Sequence, residues 1–259
     1  MPETHKMDQH EKKVLSQLGQ DGVLEHIFDT IKTENVPPYF VEFGFNSNKM
    51  EGGSGSNTAH LYLHKGWRGL LLDGDFSNPS INLHKEFITS KNICELFEKY
   101  KVPKSPDYVS IDIDSCDLWV FRAMLEKYTP RVVTVEYNGH FPIDSAVTFP
   151  DDPKETWQLD RIYGASLKAL RMVGEEFGYK LVHVVSMLDA FFVRGDLWEK
   201  DAPPLETFAD KSGRYFGHPP CVSGRENIMI DYGVWRETKD VEKAREAAKK
   251  HTYLLTHHP

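Results

Sequence analysis

The chain has 259 residues, of which 40% are hydrophobic and 27% are charged, and its formal net charge is −8. This composition predicts a soluble globular protein, and the acidic balance argues against nucleic acid as a partner, because phosphate contacts need a clustered basic face. The first residues are polar, which predicts that there is no signal peptide. The chain has no long apolar run, so no membrane partner is expected. Its three cysteines are isolated, which predicts a reducing, cytoplasmic location.

Two helical patterns open the chain. Residues 11–18 form the first pattern, which breaks at Gly19. The second is DGVLEHIFDTIK, in which apolar residues recur at helical spacing. We predict that Asp21 is the N-cap of this helix and that the sequence NVPP ends it.

Apolar strand-like segments then alternate with helical segments. The strand-like segments, in chain order, are YFVEFG, RGLLLDGD, DYVSI, RVVTVEYN, YKLVHVV and DAFFVR. This alternation is typical of a parallel sheet covered by helices on both faces. We therefore predict a Rossmann-like, doubly wound α/β fold whose sheet is mostly parallel. The last two segments are expected to form an antiparallel hairpin at the end of that sheet.

No composition shift marks a domain boundary, so we predict a single domain over residues 1–259. Its predicted parts are N-terminal helices (1–35), a Rossmann-like core (36–197), a loop or lid (198–235) and a C-terminal helix with a tail (236–259). The sequence indicates no oligomeric state.

Four predicted strands end in polar side chains. These are Glu42 with Gly44, Asp73 with Asp75, Asp112 with Asp114, and Glu136 with Asn138. Because ligands of open α/β sheets bind at the carboxyl ends of the strands, this pattern predicts a pocket. The alternative is that each acid caps a helix or accepts loop amides. That alternative is strongest for Asp117, which stands where an N-cap is expected.

An acid at the end of the second strand, here Asp73, can accept the ribose hydroxyls of an adenosine-containing cofactor. Neither GxGxxG nor GxxxxGK[ST] is present, and GGSG at 52–55 has the spacing of neither motif. The pattern therefore favours a nucleoside cofactor without a pyrophosphate. S-adenosylmethionine fits this description, with Glu42 near its sulfonium or amino group.

Four stretches together resemble the FkbM-type methyltransferase-like family. They are SQLGQDGVLEHIF, FVEFGFNSN with the following SNTAHLYLHKGWRGLLLDGD, DYVSIDIDSCDLWVFRAM and PRVVTVEYN. The resemblance covers about residues 14–197. It implies a class I methyltransferase-like fold, S-adenosylmethionine as the cofactor, and O-methylation of a small-molecule or glycan hydroxyl.

The resemblance also implies a set of cofactor-binding residues, since these positions match the motifs of the family. They are Glu42, Gly44, Ser56, Asn57, Asp73 and Asp112. Two positions depart from the family pattern. Ser115 replaces the glycine of D-x-[DE]-G, and Asp189 stands where similar sequences often have asparagine. A methyltransferase-like binding protein without catalysis is therefore one alternative, and another kind of α/β enzyme is a second.

A divalent metal is a further possibility at the strand ends. Asp112, Glu136 and Asn138 are the predicted ligands, because hard oxygen atoms suit Mg²⁺ or Mn²⁺. The alternative is a metal-free pocket in which Asp114 or His140 is the catalytic general base. His140 can equally be an ordinary loop histidine.

Two loops, residues 139–158 and 200–235, are expected to select the acceptor. Within the second loop, several side chains are candidates for binding an anionic acceptor, with surface ion pairing as the alternative. They are Arg214, Tyr215, His218, Arg225 and Tyr232.

Overall fold

The computed structural model describes residues 5–213, 218–222 and 224–252. Within these residues, seven strands form one mixed sheet. The strands are β1 (Tyr39–Phe43), β2 (Arg68–Asp73), β3 (Leu83–Lys85), β4 (Tyr108–Ile111), β5 (Val132–Glu136), β7 (Tyr179–Val184) and β8 (Asp189–Arg194). A separate antiparallel pair consists of β6 (Val147–Thr148) and β9 (Ile230–Asp231).

Helices connect most of these strands. They are α1 (His5–Asp8), α2 (Gln20–Ile31), α3 (Ala59–Lys65), α4 (Ile93–Lys99), α5 (Asp117–Leu125), α6 (Leu167–Glu176), α7 (Tyr232–Thr238) and α8 (Val241–Thr252). Short 3-10 turns lie at Pro79–Ile81, Leu205–Lys211 and Arg225–Ile228. No helix in the described ranges is long and apolar enough to cross a membrane.

The strand order across the large sheet is β3-β2-β1-β4-β5-β8-β7. All pairs are parallel up to β5, whereas β8 runs antiparallel to both β5 and β7. This is the mostly parallel, Rossmann-like α/β architecture that the sequence predicts. The hairpin of β7 and β8 is present, but β8, the antiparallel strand, lies one place in from the edge. The edge strand β7 runs parallel to β1–β5, because two antiparallel pairings restore the direction.

The sheet is buried on both faces, which explains why its strands are nearly continuous apolar runs. Alternate residues of one strand enter different cores: Val109 packs toward α4 and α5, whereas Tyr108 packs on the other side with residues of α2. Full burial of one large apolar side chain contributes about 1.5–3 kcal/mol. The helices on both faces therefore fix the direction and the register of the strands.

Two predicted features at the N-terminus are wrong. Residues 11–18 contain bends and no helix, and the N-cap of α2 is Gly19. The side chain of Asp21 lies inside the first turn, where Oδ2 accepts the amides of Val14, Leu15 and Ser16 at 2.7–2.8 Å. These bonds hold the preceding segment in an irregular fold, because a buried carboxylate is best stabilised by several amide donors.

Asp117 is also not an N-cap, because Cys116 occupies that position and makes no side-chain cap. Asp117 is the first residue of α5, and its carboxylate accepts the amides of Ile113 at 2.8 Å and Ser115 at 2.9 Å. The side chain therefore folds the turn that follows β4, and this turn carries Asp112 and Asp114.

The two loops assigned to acceptor selection contain regular structure. Residues 139–158 include β6, and residues 200–235 include β9 and the start of α7. Their pairing closes an apolar cluster that includes Phe149 and Met229. The second loop is thereby held against the first, over the end of the large sheet.

Candidate functional site

A cavity of about 800 Å³ lies at the carboxyl ends of the parallel strands. Its volume falls in the range of about 300–1,000 Å³ that is typical of small-molecule sites. Six of its lining residues are acids that the sequence places at strand ends or just beyond them: Glu42, Asp73, Asp75, Asp112, Asp114 and Glu136. The sheet therefore brings the predicted acids to one site.

The turn after β1 passes directly over the end of β4. Gly44 has φ +67°, and a Cβ atom there would lie 1.6 Å from the carbonyl oxygen of Asp112. A left-handed backbone and a contact this close both require glycine. The backbone at Gly44, which the sequence pairs with Glu42, therefore forms the bottom of the cavity between the ends of β1 and β4.

Glu42 binds the segment that follows the glycine- and serine-rich loop. Its carboxylate accepts Ser56 Oγ at 2.7 Å, the Asn57 amide at 2.8 Å and the Thr58 hydroxyl. Burial raises the pKa of Glu42, and these hydrogen bonds oppose the rise. Ser56, a cofactor-binding residue in the prediction from the resemblance, is not among the described residues that line the cavity. Its hydroxyl and that of Thr58 are bonded to Glu42.

A hydrogen-bond network extends from this segment to the antiparallel strand. Asn57 Nδ2 donates to Ser110 Oγ at 3.0 Å and to Asp189 Oδ2 at 3.1 Å, and Gln20 Nε2 donates to the same Asp189 oxygen at 2.8 Å. Burial raises the pKa of Asp189. Gln20 lines the cavity although sequence reasoning did not select it. Nothing in the local sequence indicated this role.

Asp73 lines the cavity and also closes two turns. Its Oδ2 accepts the Asn46 amide at 2.6 Å, while Oδ1 accepts the amides of Asp75 at 2.7 Å and Phe76 at 3.0 Å. The carboxylate is therefore held in one orientation at the end of β2. Because each carboxylate oxygen has more than one acceptor position, these bonds leave capacity for a ligand hydroxyl.

Asp112, Asp114 and Glu136 form a cluster that we call the acid triad. One carboxylate oxygen from each residue lies within 4.8 Å of the others, and Glu136 Oε2 is buried without a hydrogen-bond partner. Burial, followed by the neighbouring acids, raises the pKa of Asp112 and of Glu136 well above the usual range. Burial and the charge of Asp117 raise the pKa of Asp114 to about 6. Such a triad is stabilised by a shared proton or by a cation.

Asn138 and His140 do not join the acid triad. The Asn138 amide donates to the carbonyls of Arg161 and Tyr163, both at 3.0 Å, and its oxygen accepts the His140 amide at 2.9 Å. His140 is fully buried, and its Nε2 lies 3.1 Å from Nδ1 of His218. Of the three predicted metal ligands, the structure thus groups Asp112 and Glu136, and it adds Asp114 in place of Asn138.

One side of the cavity is aromatic, and we call the three residues that form it, Trp157, Tyr163 and His218, the aromatic wall. The His218 ring centroid lies 5.0 Å from that of Trp157 and 5.8 Å from that of Tyr163. Trp157 also donates its backbone amide to Asp114 O at 3.0 Å. Sequence reasoning did not select Trp157 or Tyr163. Aromatic residues in the loop beyond β5 were the only signal.

The remaining acceptor candidates have other partners or lie outside the described residues. Arg225 pairs with Asp160 at 2.5 Å, and both side chains are almost completely buried. Tyr232 is buried, and its hydroxyl lies 3.0 Å from a Glu176 oxygen. Arg214 and Tyr215 lie outside the described residues. The contacts of Arg225 and Tyr232 therefore stabilise the fold and do not point to an anionic acceptor.

The described residues that line the cavity include eight acids and neither lysine nor arginine. The acids are Glu42, Asp73, Asp75, Glu86, Asp112, Asp114, Glu136 and Asp189. A cleft lined by one sign of charge attracts ligands of the opposite sign and repels those of the same sign. The cavity therefore favours cationic groups and disfavours phosphates.

Comparison with protein-family models and with curated proteins finds no match for this chain. The family resemblance seen in the sequence motifs therefore remains a prediction. Function has to be inferred from the shape and the chemistry of the cavity.

Proposed function

We propose that the protein is an S-adenosylmethionine-dependent methyltransferase that methylates a hydroxyl group of a small molecule or glycan. The observation that carries the proposal is the acidic cavity at the carboxyl ends of β1, β2, β4 and β5. Ligands of Rossmann-like sheets bind at this edge. S-adenosylmethionine carries a sulfonium, an amino group and a carboxylate, and its net positive charge suits a cavity lined by acids. The resemblance to FkbM-type domains supports the same assignment.

The residues around the cavity fit this cofactor. Gly44 leaves the backbone beside Asp112 free of a side chain, and the Asp73 carboxylate, held in one orientation at the end of β2, can accept a ribose hydroxyl. Glu42 and Asn57 fix the neighbouring wall through their mutual hydrogen bond. When bound, S-adenosylmethionine would supply an electrophilic methyl group. The chain itself would bind and orient the cofactor and exclude pyrophosphate-bearing competitors by charge.

The acid triad fits a divalent cation such as Mg²⁺ or Mn²⁺. Three carboxylates converge there, and the buried Glu136 oxygen without a partner is an available ligand atom. Carboxylate oxygens are the preferred ligands of these ions. A cation held by Asp112, Asp114 and Glu136 would act as a Lewis acid and lower the pKa of an acceptor hydroxyl.

Isothermal titration calorimetry with S-adenosylmethionine and S-adenosylhomocysteine tests the cofactor assignment. We expect micromolar binding by the wild-type protein. Asp73→Asn should weaken it about 10–100-fold, because a hydrogen bond to a charged group contributes about 1.5–3 kcal/mol. The exposed Asp201→Asn is the matched control and should bind as the wild type does. Absence of binding heat with both compounds would refute the assignment. Binding without turnover on any acceptor would identify a non-catalytic relative.

A further inference from the structure

The aromatic wall directly adjoins the acid triad. Trp157 is joined to the turn after β4 through its bond to Asp114 O at 3.0 Å. Tyr163 is also near the triad, because the charge of Glu136 acts on it. Burial raises the pKa of Tyr163 well above the usual range, and the Glu136 charge raises it further. A ring that lies on Trp157 and Tyr163 would therefore present its substituents toward the triad.

Residues outside the cavity hold the wall in place. Trp157 Nε1 donates to Asp160 O at 2.7 Å, and the Asp160 carboxylate pairs with Arg225. Arg161 Nε donates to the carbonyl of His218 at 3.1 Å. These bonds join the loop beyond β5 to the segment before β9, so that residues far apart in sequence form one surface.

His218 enters the cavity with one ring nitrogen already paired. Its Nδ1 lies 3.1 Å from Nε2 of His140, and the His140 ring is completely buried against Tyr163. When Nδ1–H of His218 donates to His140, Nε2 of His218 keeps its lone pair. His140 then stabilises the imidazolium that forms when Nε2 accepts a proton.

The groups that face His218 keep the ring neutral near pH 7. Burial lowers the pKa of His218, the Arg161 charge lowers it further, and the Asp160 charge opposes both effects. Among the described residues, the other titratable neighbours are His140 and Tyr163. A neutral imidazole is the form that can accept a proton.

We propose that the aromatic wall is the acceptor site for an uncharged or cationic ring that carries a hydroxyl group, and that His218 is its general base. His140 is the positioning residue for His218. This proposal rests on the proposed methyltransferase function. The acceptor O–H bond breaks and its proton goes to Nε2 of His218. The oxygen lone pair forms the bond to the methyl carbon, and the electrons of the breaking carbon–sulfur bond return to sulfur.

The acceptor class follows from the charges and the rings together. Aromatic side chains contact the apolar faces of ring compounds, while each of the lining acids that is ionised repels carboxylate and phosphate groups. The sequence predicts Asp114 or His140 as the base. His218 takes the place of His140 in this proposal, because His140 is buried behind the cavity lining and His218 is part of that lining.

Saturation-transfer NMR tests the acceptor class with two matched probes, 4-nitrophenyl β-glucoside and 4-nitrophenyl β-glucuronide. The neutral glucoside should receive saturation from the wild-type protein. Its saturation signal should be at least fivefold weaker with Trp157→Ala. The anionic glucuronide should receive little saturation from the wild-type protein. The control variant is Trp235→Ala, which changes a tryptophan outside the cavity. Equal signals from both sugars, or a glucoside signal that does not depend on Trp157, would overturn the acceptor site.

Carbethoxylation with diethyl pyrocarbonate, mapped by mass spectrometry, tests His218 without an acceptor. Only the neutral imidazole reacts, so modification of His218 should be faster at pH 7 than at pH 5, but by less than the roughly 25-fold that an ordinary imidazole of pKa about 6.5 would show. Buried His140 should stay unmodified. His140→Gln should change the pH at which His218 reacts, whereas a merely structural His140 would leave that pH unchanged.

An unreactive His218, or a pH dependence untouched by His140→Gln, would overturn the role of the histidine pair. Calorimetry on His218→Gln separates this proposal from the cofactor assignment. The variant should bind S-adenosylmethionine as the wild type does. Absence of S-adenosylmethionine binding by the wild-type protein would refute the proposed methyltransferase function. A negative carbethoxylation result alone would refute only the role of His218 as the base.

Discussion

Replacement of Gly44 by alanine should destabilise the protein through one defined overlap. The backbone has φ +67° here, and an alanine in this conformation costs about 1–2 kcal/mol. The new Cβ would also lie 1.6 Å from Asp112 O, so the ends of β1 and β4 must move apart by more than an ångström. Overpacking of this kind costs about 1–3 kcal/mol. We therefore expect a total loss of roughly 2–5 kcal/mol.

Gly66→Ala is the matched control for this prediction. Gly66 has φ +73°, but no atom lies within 4 Å of the position that a Cβ would take, so only the backbone strain applies. Urea denaturation should therefore show Gly44→Ala to be about 1–3 kcal/mol less stable than the control, and the melting temperature should differ by about 2–4 °C for each kcal/mol. Calorimetry should also show weaker S-adenosylmethionine binding for Gly44→Ala alone. Equal stability of the two variants would refute the claim that β1 and β4 are in backbone contact at this point.

Four further predictions concern the acids and their partners. Asp114→Asn should stabilise the chelator-treated protein by about 3 kcal/mol at pH 8 and have almost no effect at pH 3.5, in urea titrations at both pH values. The reason is that a pKa raised to about 6 makes ionisation costly as the pH rises from about 4 through 6. Mn²⁺ at 100 times its Kd should add about 2.7 kcal/mol to the free energy of unfolding, and Glu136→Gln should reduce this gain in a thermal-shift assay. Asp189→Asn should be as stable as the wild type, because an amide oxygen can accept the same two hydrogen bonds. Asp189→Ala should lose about 2–4 kcal/mol of unfolding free energy in urea titrations, because it leaves two buried donors unpaired. Arg225→Ala should cost about 3 kcal/mol, since it leaves a buried carboxylate without its cation, and an unchanged unfolding midpoint would contradict that reading.

Local sequence was sufficient for the main strands of the large sheet and for part of the site. Apolar runs with helical segments between them predicted the parallel sheet, because both faces of each strand are buried. The acids at strand ends were visible because an acid after an apolar run breaks the pattern, and Gly44 was visible because it follows such an acid. Local sequence failed at Asp21 and Asp117, where the carboxylates accept amides of the preceding turn and neither residue is the N-cap of its helix.

Only the tertiary structure decided which side chains share the cavity. Asp189 reaches the carboxyl edge because β8 is antiparallel and begins where β5 ends, with Asp189 paired to Glu136. Asn138, two residues after Glu136, donates to carbonyls of another loop. Asp114 therefore lies beside Asp112 and Glu136, where Asn138 is predicted as a metal ligand. His218 faces the cavity because two loops are held together by long-range bonds. The sequence by itself determined which residues end the strands, since periodic burial is a local property. The composition of the site required the fold, because strand order and loop packing depend on contacts between distant segments.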